Sequence, residues 1–117
     1  MYGAITALNL SSQTFLMDAN GFVPQHPGLF VKNDIDQRNI SQKDLARLIG
    51  MSPSTLSEVL SGKRPVTTEY ALLFEAALGL GADSMLEMQT AYNKFMVSSN
   101  PRFAAKIDHV RMLAAGR

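Results

Sequence analysis

Residues 41–64 constrain this chain more than any other stretch. Ser41 stands where an N-cap belongs, and Asp44 follows three residues later, a variant of the capping box. Leu45, Leu48 and Ile49 then repeat at helical spacing, with the small Ala46 beside them, and Gly50 stops the run. Ser52-Pro53 opens a second helix, because serine caps and proline loses nothing at the first helical position. Leu56, Val59 and Leu60 repeat the spacing, and Ser61-Gly62 closes it. The link Gly50-Met51-Ser52 is so short that two helices of about eight to nine residues must cross steeply. Gly50 supplies the left-handed backbone conformation that such a turn needs.

The outward face of the second of these helices carries Ser54, Thr55, Ser57, Glu58 and Ser61. These residues are short and polar, with one acid among them. A solvated helix face usually prefers long charged side chains, whereas a helix lying in the major groove can use hydroxyls on base edges and phosphates. Ser54 and Thr55, with Ser57 and Glu58 behind them, are the expected base readers. Gln42 and Lys43 at the preceding helix N-terminus, Ser52 in the turn, and Lys63 and Arg64 in the following loop are the expected contacts to the DNA backbone. The bland alternative is an ordinary helical hairpin with a polar surface, since this geometry also occurs in bundles that bind no DNA.

Charge agrees weakly with the first reading. The net charge is only +1. Residues 1–40 have a slight acidic excess, and the whole basic excess of residues 41–117 is contained in 41–64. There Lys43, Arg47, Lys63 and Arg64 oppose Asp44 and Glu58.

The remaining chain also reads as helical from Gly28 onward. A helix is expected from about Leu29 to Arg38, with Phe30, Val31 and Ile35 inward. Thr67 or Thr68 should cap a fourth helix with Ala71, Phe74 and Leu78 inward, ended by Gly79-Leu80-Gly81. Asp83 or Ser84 should start a fifth, whose stripe is Met85, Met88, Gln89, Tyr92, Phe95 and Met96. After Asn100-Pro101, a last helix carries Phe103, Ile107, Val110 and Ala114. The fold class is therefore all-α: a compact bundle of five to six helices preceded by an N-terminal extended arm.

The arm, residues 1–25, has no Lys or Arg but carries Tyr2, Leu8, Phe15, Leu16 and Phe22, among other apolar residues. It cannot neutralise phosphates, so its expected role is contact with a protein partner or a second protomer. The expected division is arm 1–25, DNA-binding domain 26–97 and C-terminal helix 98–117. Methionine suits both cores and adaptable interfaces. Met85, Met88, Tyr92, Phe95, Phe103 and Ile107 are the expected dimer or partner contacts.

Function classes can also be excluded. With 117 residues and no cysteine, the chain has room for one core and no thiolate chemistry. Apolar residues at 46% and charged residues at 18% are globular proportions. No apolar run approaches a membrane span, and no basic stretch follows Met1, so a cytoplasmic protein is expected. Of two histidines, His26 sits where it would cap or pack, and His109 is on the last helix. Asp34 and Asp36 fall on different faces. Neither a metal-binding pair, a phosphate loop nor a nucleophile elbow is present, so no catalytic residue, cofactor or metal is expected.

Ser41-Gln42-Lys43-Asp44-Leu45-Ala46, Gly50, Ser54-Thr55-Leu56 and Gly62-Lys63 together resemble the Xre/Cro family of helix-turn-helix repressors. Three flanking motifs narrow the resemblance to its HigA-type (VapI-like) antitoxins. They are His26-Pro27-Gly28, Ser61-Gly62-Lys63-Arg64-Pro65-Val66-Thr67 and Met88-Gln89-Thr90-Ala91-Tyr92. The resemblance implies a lambda-repressor-like fold and a homodimer that binds double-stranded operator DNA. It also implies a co-encoded mRNA-cleaving toxin as partner, and repression of the shared operon. Two alternatives stay open: a free-standing repressor of the same fold, and a protein-interaction module without DNA binding. The chain departs from the family pattern in having Met85-Leu86 where the fifth helix usually opens with tryptophan, and Asn93 where Asp is frequent.

Overall fold

The computed structural model describes residues 23–116. The expected extended arm lies almost wholly outside these residues. Six α-helices occur among them: α1 (Pro27–Gln37), α2 (Gln42–Ile49), α3 (Pro53–Leu60), α4 (Thr68–Leu78), α5 (Ala82–Ser98) and α6 (Pro101–Ala115). No strand occurs among the described residues. The fold is all-α. None of these helices is long and apolar enough to cross a membrane.

The chain divides into two compact units, one of residues 25–92 and one whose described part is residues 23–24 and 93–116. In the first unit, α3 packs on both α1 and α2, and α2 also packs on α4. Its core is formed by Val31 and Ile35 of α1, Leu45 and Ala46 of α2, and Leu56, Val59 and Leu60 of α3. Val66, Ala71, Phe74, Leu78, Ala82 and Met85 complete it.

Helix starts follow local chemistry. The side chains of Ser41, Ser52 and Thr67 each accept a backbone N–H three residues on, at 3.0–3.2 Å. Asn100 caps α6 in the same way through the amides of Arg102 and Phe103. Helix α5 starts at Ala82, one residue before the expected Asp83, and its first amide is taken by Glu75 Oε2 of α4 at 3.0 Å. Glu75 thus supplies the cap of the next helix. Gly50 has φ +74°, as the turn after α2 requires.

Two inward assignments are corrected. Phe30 is 37% exposed, and the buried positions of α1 are Pro27, Gly28, Val31 and Ile35. Leu48 is 68% exposed. In α2 the inner face runs through half-buried Gln42, buried Leu45 and Ala46, and half-buried Ile49. At 100° per residue, Leu48 lies well to one side of that stripe. The first helix also begins earlier than expected, at Pro27, with His26 as its cap.

In the second unit, α6 has no buried residue, although it carries Phe103, Ile107, Val110, Met112 and Leu113. Its surface grooves, about 530 and 380 Å³, run past Val97 and Phe103.

Candidate nucleic-acid interface

Helix α3 has two faces of opposite character. Leu56, Val59 and Leu60 have no exposed surface. Ser54, Ser57 and Glu58 are exposed, and Thr55 is half-buried. The hydroxyls at the start of the helix are already organised. Ser52 Oγ accepts the Thr55 N–H at 3.1 Å and donates to Thr55 Oγ1 at 2.8 Å. With its oxygen engaged by Ser52, the Thr55 hydroxyl keeps its own hydrogen to donate outward. Ser54 Oγ stands 3.4 Å from Ser52 Oγ.

The charged residues around this face sort into pairs and free cations. Arg47 pairs with Asp44 at 3.2 Å, and Arg64 pairs with Glu58 at 2.6 Å. Among the described residues, Lys43 and Lys63 carry no ion pair and are exposed, so the excess positive charge of residues 41–64 resides on them. Gln42 is half-buried at the start of α2, and Ser52 is exposed in the turn. Ser52 caps the start of α3, Lys63 and Arg64 follow its end, and Gln42 and Lys43 open α2, the helix that packs on it. Asp36 is engaged by Lys32 and Asp34 by Arg38, which also reaches the Leu78 carbonyl at 2.9 Å. Both acids are thus paired within α1 and its C-cap, and the link from there to α4 is made by Arg38.

Behind the interface, three separate sequence motifs meet. His26 Nδ1 accepts the Gly28 N–H at 2.9 Å and so caps α1. The His26 ring is buried, packs edge-on against Tyr92 with ring centroids 5.0 Å apart, and lies beside Gly62. It also hydrogen-bonds the Arg64 backbone, and burial pushes its pKa below the ordinary 6.5. Gly28 meets α3 so closely that a Cβ there would overlap the Val59 carbonyl oxygen. Buried Gln89 accepts the Val66 N–H through Oε1 at 2.7 Å. His26, Gly28, Gln89 and Tyr92 thus hold the end of α3 and the loop that carries Lys63 and Arg64. Sequence reasoning did not assign them to the interface. The signal was present in the three motifs taken together, each supplying one side of this joint.

The expected partner-contact residues separate. Met85 has no exposed surface and belongs to the core. Met88 and Tyr92 are half-buried, and Tyr92 is committed to His26. Phe95 is 8% exposed. Phe103 and Ile107 remain at the surface of α6, exposed and half-buried.

Residues 31–84 match the family model described as helix-turn-helix (HTH_3). The chain is 31% identical over 67 residues to the uncharacterized HTH-type transcriptional regulator YddM of Escherichia coli (strain K12), covering 57% of this chain and 71% of that one. It is 32% identical over 76 residues to virulence-associated protein I of Dichelobacter nodosus, covering 64% and 70% respectively. Its fold is similar to that of the Pseudomonas aeruginosa antitoxin HigA, solved with the higBA promoter. The TM-score is 0.66 at 21% identity, with 74% of this chain and 92% of that chain covered.

The chain belongs to the Xre-type helix-turn-helix family. Within it, the relatives are VapI-like and the fold is that of HigA-type antitoxins. The family model describes a helix-turn-helix domain, and one of the relatives is described as an HTH-type transcriptional regulator.

Proposed function

We propose that this chain is a sequence-specific DNA-binding antitoxin that acts as a homodimer, represses its own operon and neutralises a co-encoded mRNA-cleaving toxin. The observation that carries the DNA part is α3, whose inner face is sealed in the core while its outer face presents short hydroxyls, with Lys43 and Lys63 exposed and free of ion pairs on the segments before and after it. Ser54, Thr55 and Ser57 would read base edges in the major groove, with Thr55 as a hydrogen donor. Gln42, Lys43, Ser52 and Lys63 would fix the register on phosphates.

The dimer part is supported by α6, fifteen residues long with none buried. A second protomer on Phe103 and Ile107 gives this surface a use, and two recognition helices give an operator with two half-sites. The toxin part is supported by the likeness to an antitoxin and by the three flanking motifs. One experiment tests it: co-expression with the neighbouring reading frame, followed by co-purification and a growth assay. A stable complex and restored growth are expected. A neighbouring product that neither binds the chain nor inhibits growth would leave the second reading, a free-standing repressor, which the likeness to a transcriptional regulator supports.

A further inference from the structure

The inference concerns Glu58 and Arg64, and it rests on the reading of α3 as the DNA-facing helix. Arg64 turns back onto α3, where its Nε and Nη2 both donate to Glu58 Oε1 at 2.9 and 2.6 Å. The backbone carbonyl of Glu58 also accepts the amides of Lys63 and Arg64, at 2.9 and 3.2 Å, and the Ser61 hydroxyl at 3.2 Å. Glu58 therefore anchors the basic loop through both its main chain and its side chain.

An isolated exposed ion pair contributes little, because two long side chains must be ordered to form it. Here the backbone leading to Arg64 is already fixed on Glu58, so less freedom remains to be lost. The pair lies at the interface and is half-exposed, 50% for Arg64 and 47% for Glu58. A bare carboxylate there would repel phosphates, and a bare guanidinium would attract any duplex whatever its sequence. Together they cancel.

We propose that Glu58 is a specificity-determining residue acting through Arg64. It holds the guanidinium and neutralises it at the DNA surface, so the pair meets the duplex as one uncharged donor–acceptor unit. Sequence-independent attraction is then left to Lys43 and Lys63, and the margin between operator and random DNA widens. This changes the role expected of both residues: Glu58 positions instead of reading a base alone, and Arg64 is withheld from free phosphate binding.

The test uses the full chain and its Glu58→Gln, Arg64→Ala and doubly substituted forms. Each is titrated over a salt series against a random-sequence duplex and against the DNA upstream of its own reading frame. Glu58→Gln should steepen the salt dependence on random DNA by about 0.9 per protomer, an affinity gain of about eightfold per protomer near 0.1 M salt. Its operator-to-random ratio should fall. Arg64→Ala should weaken binding to both duplexes, and the double substitution should return the slope close to that of the unaltered chain.

An unchanged slope in Glu58→Gln, or a double substitution that keeps the steepened slope of Glu58→Gln, would overturn the proposal. So would a loss confined to the operator with no change in slope, since Glu58 would then read a base itself. If the unaltered chain binds neither duplex at low salt, the DNA reading fails and takes this proposal with it. Binding by the unaltered chain with an indifferent Glu58→Gln overturns this proposal alone. Melting temperatures of all four forms check that the fold is intact, and a purely structural role for the pair would not move the salt slope.

Discussion

His26 accepts a hydrogen bond from the Gly28 amide, so its Nδ1 must be unprotonated in the folded chain. Burial lowers its folded pKa below the unfolded value of 6.5, while the bond to the Arg64 backbone opposes part of that shift. The unfolded chain therefore binds more protons between the two values, and stability rises with pH there. The contribution is fully present above pH 6.5 and is lost as pH falls through the folded pKa. The melting temperature should thus drop on acidification below about pH 6.5, and His26→Asn should flatten that dependence. An equal slope in both forms would assign the titration to another group. Gly28 is tested differently. Gly28→Ala forces its Cβ against the Val59 carbonyl and should destabilise by at least about 1–3 kcal/mol in denaturant unfolding, with α1 and α3 pushed apart. Gln89 completes the joint, since removing its Oε1 leaves the buried Val66 amide without an acceptor. Gln89→Leu should cost about 1–3 kcal/mol in the same assay.

Helix α3 has a buried face and an exposed one, and the proposed reading gives stability to the first and recognition to the second. Leu56 is wholly buried, so Leu56→Ala should cost about 2–5 kcal/mol, and DNA binding should vanish through unfolding. An unchanged melting temperature would contradict the face assignment. At the same scale, Lys63→Ala should weaken operator and random DNA together and reduce the salt slope by about one unit per protomer. The starts of α2, α3 and α4 were legible because Ser41, Ser52 and Thr67 each combine a short polar side chain with a following helical run. The faces were less so. The inner stripe of α2 begins at Gln42, a polar residue, so counting from Leu45 rotated the stripe and drew in exposed Leu48. Phe30 misled in the same way, because the tight approach of α1 to α3 runs through Pro27 and Gly28, which hydrophobic periodicity does not weigh. The start of α5 depends on Glu75 of a different helix, and Glu58 reaches Arg64 across a turn. Neither partnership leaves a trace at helical spacing.

In the whole molecule, the family motifs that flank α3 have a common physical purpose. They clamp its C-terminal end and the loop beyond it from the side opposite the solvent, through His26, Gln89 and Tyr92. A recognition helix of eight residues spans few base pairs, so useful specificity requires two copies. A two-fold dimer should protect two half-sites about 34–36 Å apart in footprinting, and the unburied apolar residues of α6 are the surface proposed for its assembly. A monomer protecting one half-site would refute that arrangement. The central claim is that the outer face of α3 reads sequence. Its most direct test is the operator-to-random affinity ratio of the Ser54→Ala/Thr55→Ala form, measured beside the unaltered chain on the DNA upstream of its own reading frame. The account predicts a loss of about 1–3 kcal/mol on the operator, with random-duplex affinity nearly unchanged. Equal losses on both duplexes, or no loss on either, would contradict it.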